Sequence, residues 1–267
     1  MRYTTLGQYY DADSVIHRLD PRVKLVFTIV YIVSLYLGNS PFCYIFAGLF
    51  LAVVIRLSKV PVRYMLRGLK AVIFLLLFTA FFNIFLSQGD VVFQWGFITI
   101  TRQGIETAVR MAVRLVLLIM GSSLMTLTTT PNDLTDGLEK GLGFLKVFHV
   151  PVHEIGMMMS IALRFIPILV EEAGRIMMAQ KARGADFDSG GLIKKAKAMI
   201  PLLIPLFVAA FRRANDLAQA MEARCYHGGN GRTKLHPLKY RRLDFIAYGV
   251  LLLYLALMIV LKIVTKS

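Results

Sequence analysis

Acidic residues are scarce in this chain. Of 267 residues 16 are Asp or Glu, against 31 Lys and Arg, which leaves a formal charge of +15, and charged residues of both signs make up 18% of the sequence. Soluble domains average about 25% charged residues. Apolar residues fill the difference, at 57% of the chain with a mean hydropathy of +0.62, so an ordinary soluble enzyme and a disordered chain are both excluded. Cysteine is nearly absent as well. Cys43 and Cys225 stand far apart and read as two reduced thiols, so a disulfide scaffold is excluded. No Gly-x-x-x-x-Gly-Lys-Ser/Thr phosphate loop occurs, and the glycine-rich Gly228-Gly229-Asn230-Gly231-Arg232 follows no predicted strand and reads as a connector. His149 and His153 are spaced i, i+4, but Pro151 lies between them and no Cys or third His is near; His17, His227 and His236 are isolated. No metal site, cofactor or catalytic group is expected.

What remains is an all-α integral membrane protein. A helix needs about 20 largely apolar residues to cross a bilayer, and five stretches qualify: Val23–Leu37, Pro41–Leu57, Leu69–Leu86, Ala108–Thr128 and Phe245–Val264. Basic residues set the orientation, because short cytoplasmic segments are enriched in Lys and Arg. Arg18, Arg22 and Lys24 precede the first span, and Arg56, Lys59, Arg63, Arg67 and Lys70 separate the second from the third, so both segments and the N-terminus are assigned to the cytoplasm of a multi-pass plasma-membrane protein. Ser87–Ile105, with little charge beyond Asp90 and Arg102, suits the outer side. Met1–Asp20 is polar and reads as no signal peptide. No Asp or Glu occupies the apolar core of any of these spans, which argues against a proton- or sodium-driven carrier.

Three regions follow: 1–130 with the first four spans, 131–242 as a cytoplasmic or interfacial segment of long helices, and 243–267 with the last span. In the middle region Thr130 or Asn132 is a cap candidate for a helix closed by Gly141 and Gly143. Two longer helices are predicted from Pro151 to Arg183 and from Leu192 to Arg224, with kinks or a break at Pro167, Pro201 and Pro205. The apolar runs Ile155–Val170 and Met199–Phe211 within them are set aside as spans, because Arg164 is central in the first and both are short.

The two long helices share an ending. Ala182-Arg183-Gly184 recurs 41 positions later as Ala223-Arg224-Cys225. An arginine in a last helical turn faces the negative end of the dipole, and glycine after it is a favoured stop, so either trio alone reads as a cap. Two such endings on successive helices suit a second role, as paired plugs for acidic grooves on two partner subunits, because a guanidinium can meet a carboxylate with two parallel hydrogen bonds. At the same offset Glu171 and Glu172 align with Arg212 and Arg213, and Arg175 with Asp216, which predicts an X-shaped pair of crossing helices.

Several of these stretches together resemble a known family. His17-Arg18-Leu19-Asp20-Pro21-Arg22-Val23-Lys24-Leu25, Arg164-Phe165-Ile166-Pro167, Ala179 through Gly184, and Arg212-Arg213-Ala214-Asn215-Asp216-Leu217-Ala218 leading to Met221-Glu222-Ala223-Arg224 are similar to the transmembrane coupling subunits (T components, CbiQ-like) of energy-coupling factor transporters. The resemblance runs from about Gly7 to the last span, and Cys225 departs from the glycine or serine common there. It implies about five spans plus a coupling domain of crossing helices. It also implies the partners: two ATPase subunits of the ABC class, a substrate-binding S component and the lipid bilayer. In that family each arginine enters a groove on one ATPase, so Arg183 and Arg224 inherit that role, flanked by Ala182, Gly184, Ala223 and Cys225. A dedicated coupling subunit of a cobalt or nickel importer is the nearest alternative. A membrane enzyme would need convergent catalytic groups, and a nucleic-acid binder would need a recognisable motif beside its basic patch. The sequence offers neither.

Overall fold

A computed structural model describes residues 9–38, 40–86, 90–95, 98–187, 191–228 and 237–265. The chain is helical apart from one hairpin: α1 Pro21–Leu37, α2 Pro41–Ser58, α3 Val62–Leu86, α4 Arg102–Thr128, α5 Pro131–Gly141 continuing as a 3₁₀ turn over Leu142–Phe148, α6 Val152–Ala182, α7 Leu192–Ala223 and α8 Arg242–Val264. Strands β1 (Val91–Trp95) and β2 (Ile98–Thr101) pair antiparallel between α3 and α4, with Val91 opposite Thr101 and Trp95 opposite Ile98. The β-branched and aromatic residues of this short stretch favour strands. His236 and the Gly229-to-Arg232 part of the glycine-rich connector lie outside the described residues.

The molecule divides into two units, one formed by Met1–Gly137 with Leu238–Ser267, the other by Leu138–Pro237. In the first unit proline and side-chain caps start the helices. Asp20 caps α1 by accepting the Arg22 N–H at 3.0 Å, Pro21 and Pro41 stand at the first turns of α1 and α2, and Thr101 accepts the Gly104 N–H at 3.1 Å to start α4. The core is aromatic. Tyr254 of α8 stacks on Phe50 at 4.3 Å and on Phe46 at 5.6 Å, and its hydroxyl meets Ser34 Oγ at 2.7 Å. Gly121 of α4 is needed where it stands, since a Cβ there would lie 2.7 Å from the Tyr31 ring.

The N-terminal motif is a buried junction. Asp20 Oδ1 and Oδ2 accept from the Arg22 guanidinium at 3.0 and 2.9 Å, and the Asp20 N–H donates to Asp244 Oδ1 at 2.9 Å. Asp244, 1% exposed, also accepts the Arg241 N–H at 2.6 Å, so one carboxylate closes the start of α8 and fastens it to the start of α1. Arg22 lies 4.0 Å over the Tyr240 ring. Lys24 donates to the carbonyls of His17 at 3.1 Å and Thr128 at 2.8 Å, and so caps the negative end of α4.

His17 completes the junction. The Tyr10 carbonyl, 3.0 Å from Nε2, can only accept, so the proton sits on Nε2, and Nδ1 accepts from the Ser14 hydroxyl at 2.7 Å. Burial, which outweighs the Tyr10 hydrogen bond, holds the His17 pKa below its ordinary value of 6.5, and the charge of Lys24 adds to the depression. The unfolded chain therefore takes up the proton first. Stability contributed by neutral His17 is complete above about pH 6.5 and falls as the pH drops below it. Thermal unfolding of the His17→Gln variant from pH 7.5 to 5.5 should show a shallower loss than the parent chain.

Among the described residues five helices are long and apolar enough to cross a membrane: α2, α4, α6, the Lys197–Ala223 part of α7, and α8; the two limbs of bent α3 would make a sixth. The number matches the sequence expectation but the membership differs. α1, at 17 residues, is shorter than any of these five. The two predicted long helices are present as α6 and α7, of 31 and 32 residues, and the runs set aside within them belong to helices apolar enough to span. No break occurs at Pro167, Pro201 or Pro205, and both helices continue through them. A proline removes one i→i−4 hydrogen bond, and a helix of eight or nine turns keeps the rest.

Candidate functional site

The chain enters α6 from a polar platform. Thr130 accepts the Asp133 N–H at 3.1 Å and caps α5, and Glu139 near the end of α5 meets His153 Nδ1 at 2.9 Å in the first turn of α6. His153 is thus held by a carboxylate, and no group of three or more His, Cys, Asp or Glu residues able to hold a metal is found among the described residues.

Helices α6 and α7 touch, and Glu172 and Arg213 approach to 3.8 Å at the contact. The other two aligned pairs, Glu171 with Arg212 and Arg175 with Asp216, make no ion pair within 4.0 Å among the described residues. A half-exposed pair of this kind contributes about 0.2–1 kcal/mol. Its value is registry rather than stability. Arg183 follows Glu172 by eleven positions and Arg224 follows Arg213 by eleven, so at 1.5 Å per residue each arginine ends an arm of about 16 Å measured from the same contact.

The two ends are built alike to the level of single hydrogen bonds. After α6 the Gly184 N–H donates to Lys181 O and the Ala185 N–H to Gln180 O, both at 3.0 Å. After α7 the Cys225 N–H donates to Glu222 O at 2.9 Å and the Tyr226 N–H to Met221 O at 3.0 Å. Both are the paired closure in which a left-handed residue turns the chain back on the last turn. Gly184 has φ +87 and Cys225 φ +56. The arginines occupy the equivalent cap position, with φ and ψ of −85 and 6 at Arg183 and −95 and 16 at Arg224. Ala182, Arg183, Gly184, Ala223, Arg224 and Cys225 are all exposed, and neither guanidinium has an ion-pair partner among the described residues. Each end therefore presents a free planar cation on a fixed turn between two small neighbours, suited to a narrow acidic groove.

Glycine adopts the left-handed conformation without strain, whereas a residue with a Cβ pays about 1–2 kcal/mol for it. Cys225→Gly should therefore raise the stability of the α7 end by about 1 kcal/mol, and Gly184→Ala should lower that of the α6 end by a similar amount. Hydrogen exchange at Ala185 and Tyr226, whose amides close the turns, would register both changes.

Sequence reasoning missed two features. The left-handed turn at Cys225 had no signal, because cysteine rarely marks one. The tasks of Asp20, Lys24 and Asp244 depend on partners 104 to 224 positions away, although a lysine at the start of an apolar span was a visible oddity. The α7 surface adds a third element: Ile200, Leu203, Ile204, Phe207, Val208 and Phe211 form one exposed apolar stripe at helical spacing. Met158, Met159 and Met178 of α6 are exposed as well.

Comparison with known proteins completes the description. A family model described as CbiQ, cobalt transport protein, matches residues 12–235. The energy-coupling factor transporter transmembrane protein EcfT of Clostridium kluyveri is 53% identical over 245 residues, 91% of each chain. Its namesake from Ruminiclostridium cellulolyticum is 47% identical over 262 residues, 98% of each chain, and that of Bacillus subtilis 44% identical over 258 residues, 96% of this chain and 97% of its own.

Proposed function

Because this chain belongs to the family of energy-coupling factor transporter transmembrane proteins, we propose that it couples two ATPase subunits of the ABC class to a separate substrate-binding membrane subunit for vitamin or other micronutrient uptake. One observation carries the reading: two exposed arginines, without ion-pair partners among the described residues, on turns closed by the same hydrogen bonds at equal distances from one helix contact. A single acidic partner would need one such end. Two similar but separate ATPases need two, and a turn of the same geometry on each fits grooves of the same kind. Ala182, Gly184, Ala223 and Cys225 keep the flanks small enough for the guanidinium to enter.

The subunit does no chemistry in this scheme. ATP binding and hydrolysis change the separation of the ATPases, Arg183 and Arg224 follow, and α6 and α7 move about their contact. The apolar stripe of α7 and the exposed methionines of α6 give the substrate-binding subunit a surface, and flexible thioethers repack against different shapes. The basic segments ahead of α1 and between α2 and α3 face the cytoplasm, as does the N-terminus, and α6 and α7 lie along that face without each crossing the membrane once, so that Arg183 and Arg224 share the cytoplasmic side. A cysteine introduced at Ala182 or at Ala223 should resist impermeant thiol reagents in intact cells, and labelling of one alone would overturn this layout.

Reconstitution tests the function. Co-expressed with two ATPases and one substrate-binding subunit, the chain should yield a complex that takes up substrate in proteoliposomes only with ATP; failure to retain either ATPase would refute the proposal. Reversal of charge at Arg213 should impair assembly of that complex, and reversal at Glu172 should restore it. The family model's description favours a second reading, in which the chain serves one cobalt or nickel importer. Copurification with several unrelated substrate-binding subunits would exclude it.

A further inference from the structure

Within the unit that contains both chain ends, α1, α2, α4 and α8 leave a cavity of about 260 Å³. Its walls are apolar, among them Phe27 of α1, Val54 of α2, Leu124 of α4 and Ala247 of α8. The helical lining residues fall in one layer: from Val23 to Tyr31 in α1, Phe50 to Leu57 in α2, Gly121 to Thr128 in α4 and Leu243 to Val250 in α8. Eight or nine residues of helix rise about 12 Å, close to half of a hydrocarbon layer about 30 Å thick. The cavity is one leaflet deep. Val53 and Ile246 on its α2 and α8 sides are 50% and 62% exposed, so it is accessible from the lipid side.

The cavity is not uniformly apolar. Lys24 lines it at 8% exposure, and its ammonium spends two of three N–H donors on the His17 and Thr128 carbonyls, with no carboxylate in ion-pair range among the described residues. Tyr31 lines it too, and its buried hydroxyl has no hydrogen-bond partner among the described residues. Beside the lining residue Leu57 stand Arg56 and Lys59, and beside Leu243 stand Arg241 and Arg242; none of the four has an ion-pair partner among the described residues, while the nearby carboxylates of Asp13 and Asp20 are already taken by Arg18 and Arg22. An apolar cleft one leaflet deep, with a donor inside and more cations than carboxylates beside its mouth, is complementary to one class of molecule.

We propose that this cleft holds one acyl chain of an anionic phospholipid from the leaflet that meets the basic helix ends. The headgroup lies against Lys59 and Arg242, and Lys24 donates its remaining hydrogen to a phosphate or ester oxygen. The site is separate from the coupling role and stands or falls without it. Each rim cation near an anionic headgroup favours binding by about fivefold.

The test uses the full chain in vesicles of phosphatidylcholine and phosphatidylglycerol at 4:1, doped with phosphatidylglycerol bearing a photoreactive group in one acyl chain. Illumination should label peptides containing Val53, Val54 or Ala247, and the same probe with a choline headgroup should label them at least fivefold less. Ala247→Phe should reduce the labelling about fivefold. The paired surface changes Lys59→Gln and Arg242→Gln should bring phosphatidylglycerol down to the choline level without altering thermal stability, which keeps the test valid if the cavity-filling variant misfolds. Equal labelling by both headgroups, labelling spread evenly over the outer face of α8, or exclusion of the probe by a bound polypeptide would overturn the proposal.

Discussion

Alanine at both Arg183 and Arg224 will abolish ATP-driven uptake and leave a chain that no longer retains its ATPases. Removing one partner of a buried, hydrogen-bonded charge pair at an interface costs about 2–5 kcal/mol, which loosens each attachment by about 30-fold or more. In the proposed scheme the two attachments support one another through a common scaffold, so losing both would leave no tether. Either single variant should retain a weakened complex. Lysine at the same positions should fall between, since a point charge cannot make the two parallel bonds of a guanidinium. Both arginines are exposed and have no ion-pair partner among the described residues, so the melting temperature of the purified double variant should match that of the parent. A complex that still transports at half the parental rate would remove these residues from the coupling scheme.

The second large effect concerns stability and lies in the other unit. Asp244→Ala should destabilise the chain by about 3 kcal/mol or more, because the backbone N–H groups of Asp20 and Arg241 lose their acceptor at a position 1% exposed to solvent, and each orphaned donor costs about 1–3 kcal/mol. A loss of that size lowers the melting temperature by about 10 °C in a protein of this length. Asp244→Asn retains one acceptor oxygen and should lose about half as much. Circular dichroism melts in detergent, with membrane yield as a second reading, would measure both. An unchanged melting temperature in the alanine variant would show that the α1–α8 fastening is not needed.

These two sites were unequally legible. The arginine ends stood out from the sequence because a charged residue and a helix stop follow long amphipathic runs, a local pattern that needs no tertiary knowledge. The bounds of α6 and α7 were legible too, set by Pro151 at one end and by the arginine turns at the others. What was misread in α6 and α7 was their capacity to span: Arg164 and the shortness of the charge-free runs were given more weight than the apolar length of the whole helices. The junction of Asp20, Lys24 and Asp244 could be quoted as a motif, yet its purpose stayed hidden: a capping aspartate, a basic residue near a membrane edge and an acid in a first helical turn each have an ordinary local explanation. Only the folded chain makes them neighbours. The same holds at Cys225, where three-dimensional hydrogen bonding makes cysteine and glycine play one part.

The equal arms of α6 and α7 carry a mechanical consequence. For rotation about the Glu172–Arg213 contact, opposite forces of the same size at the two arginines exert equal torques of opposite sign about that point, so spreading the tips turns the helices as scissors turn on a rivet. The pivot itself is not pushed sideways. Work delivered symmetrically by two ATPases would then appear on the far side of the pivot as pure rotation, and a single inserted residue in one arm, by lengthening it 1.5 Å and turning its arginine by about 100°, would convert part of that rotation into drift.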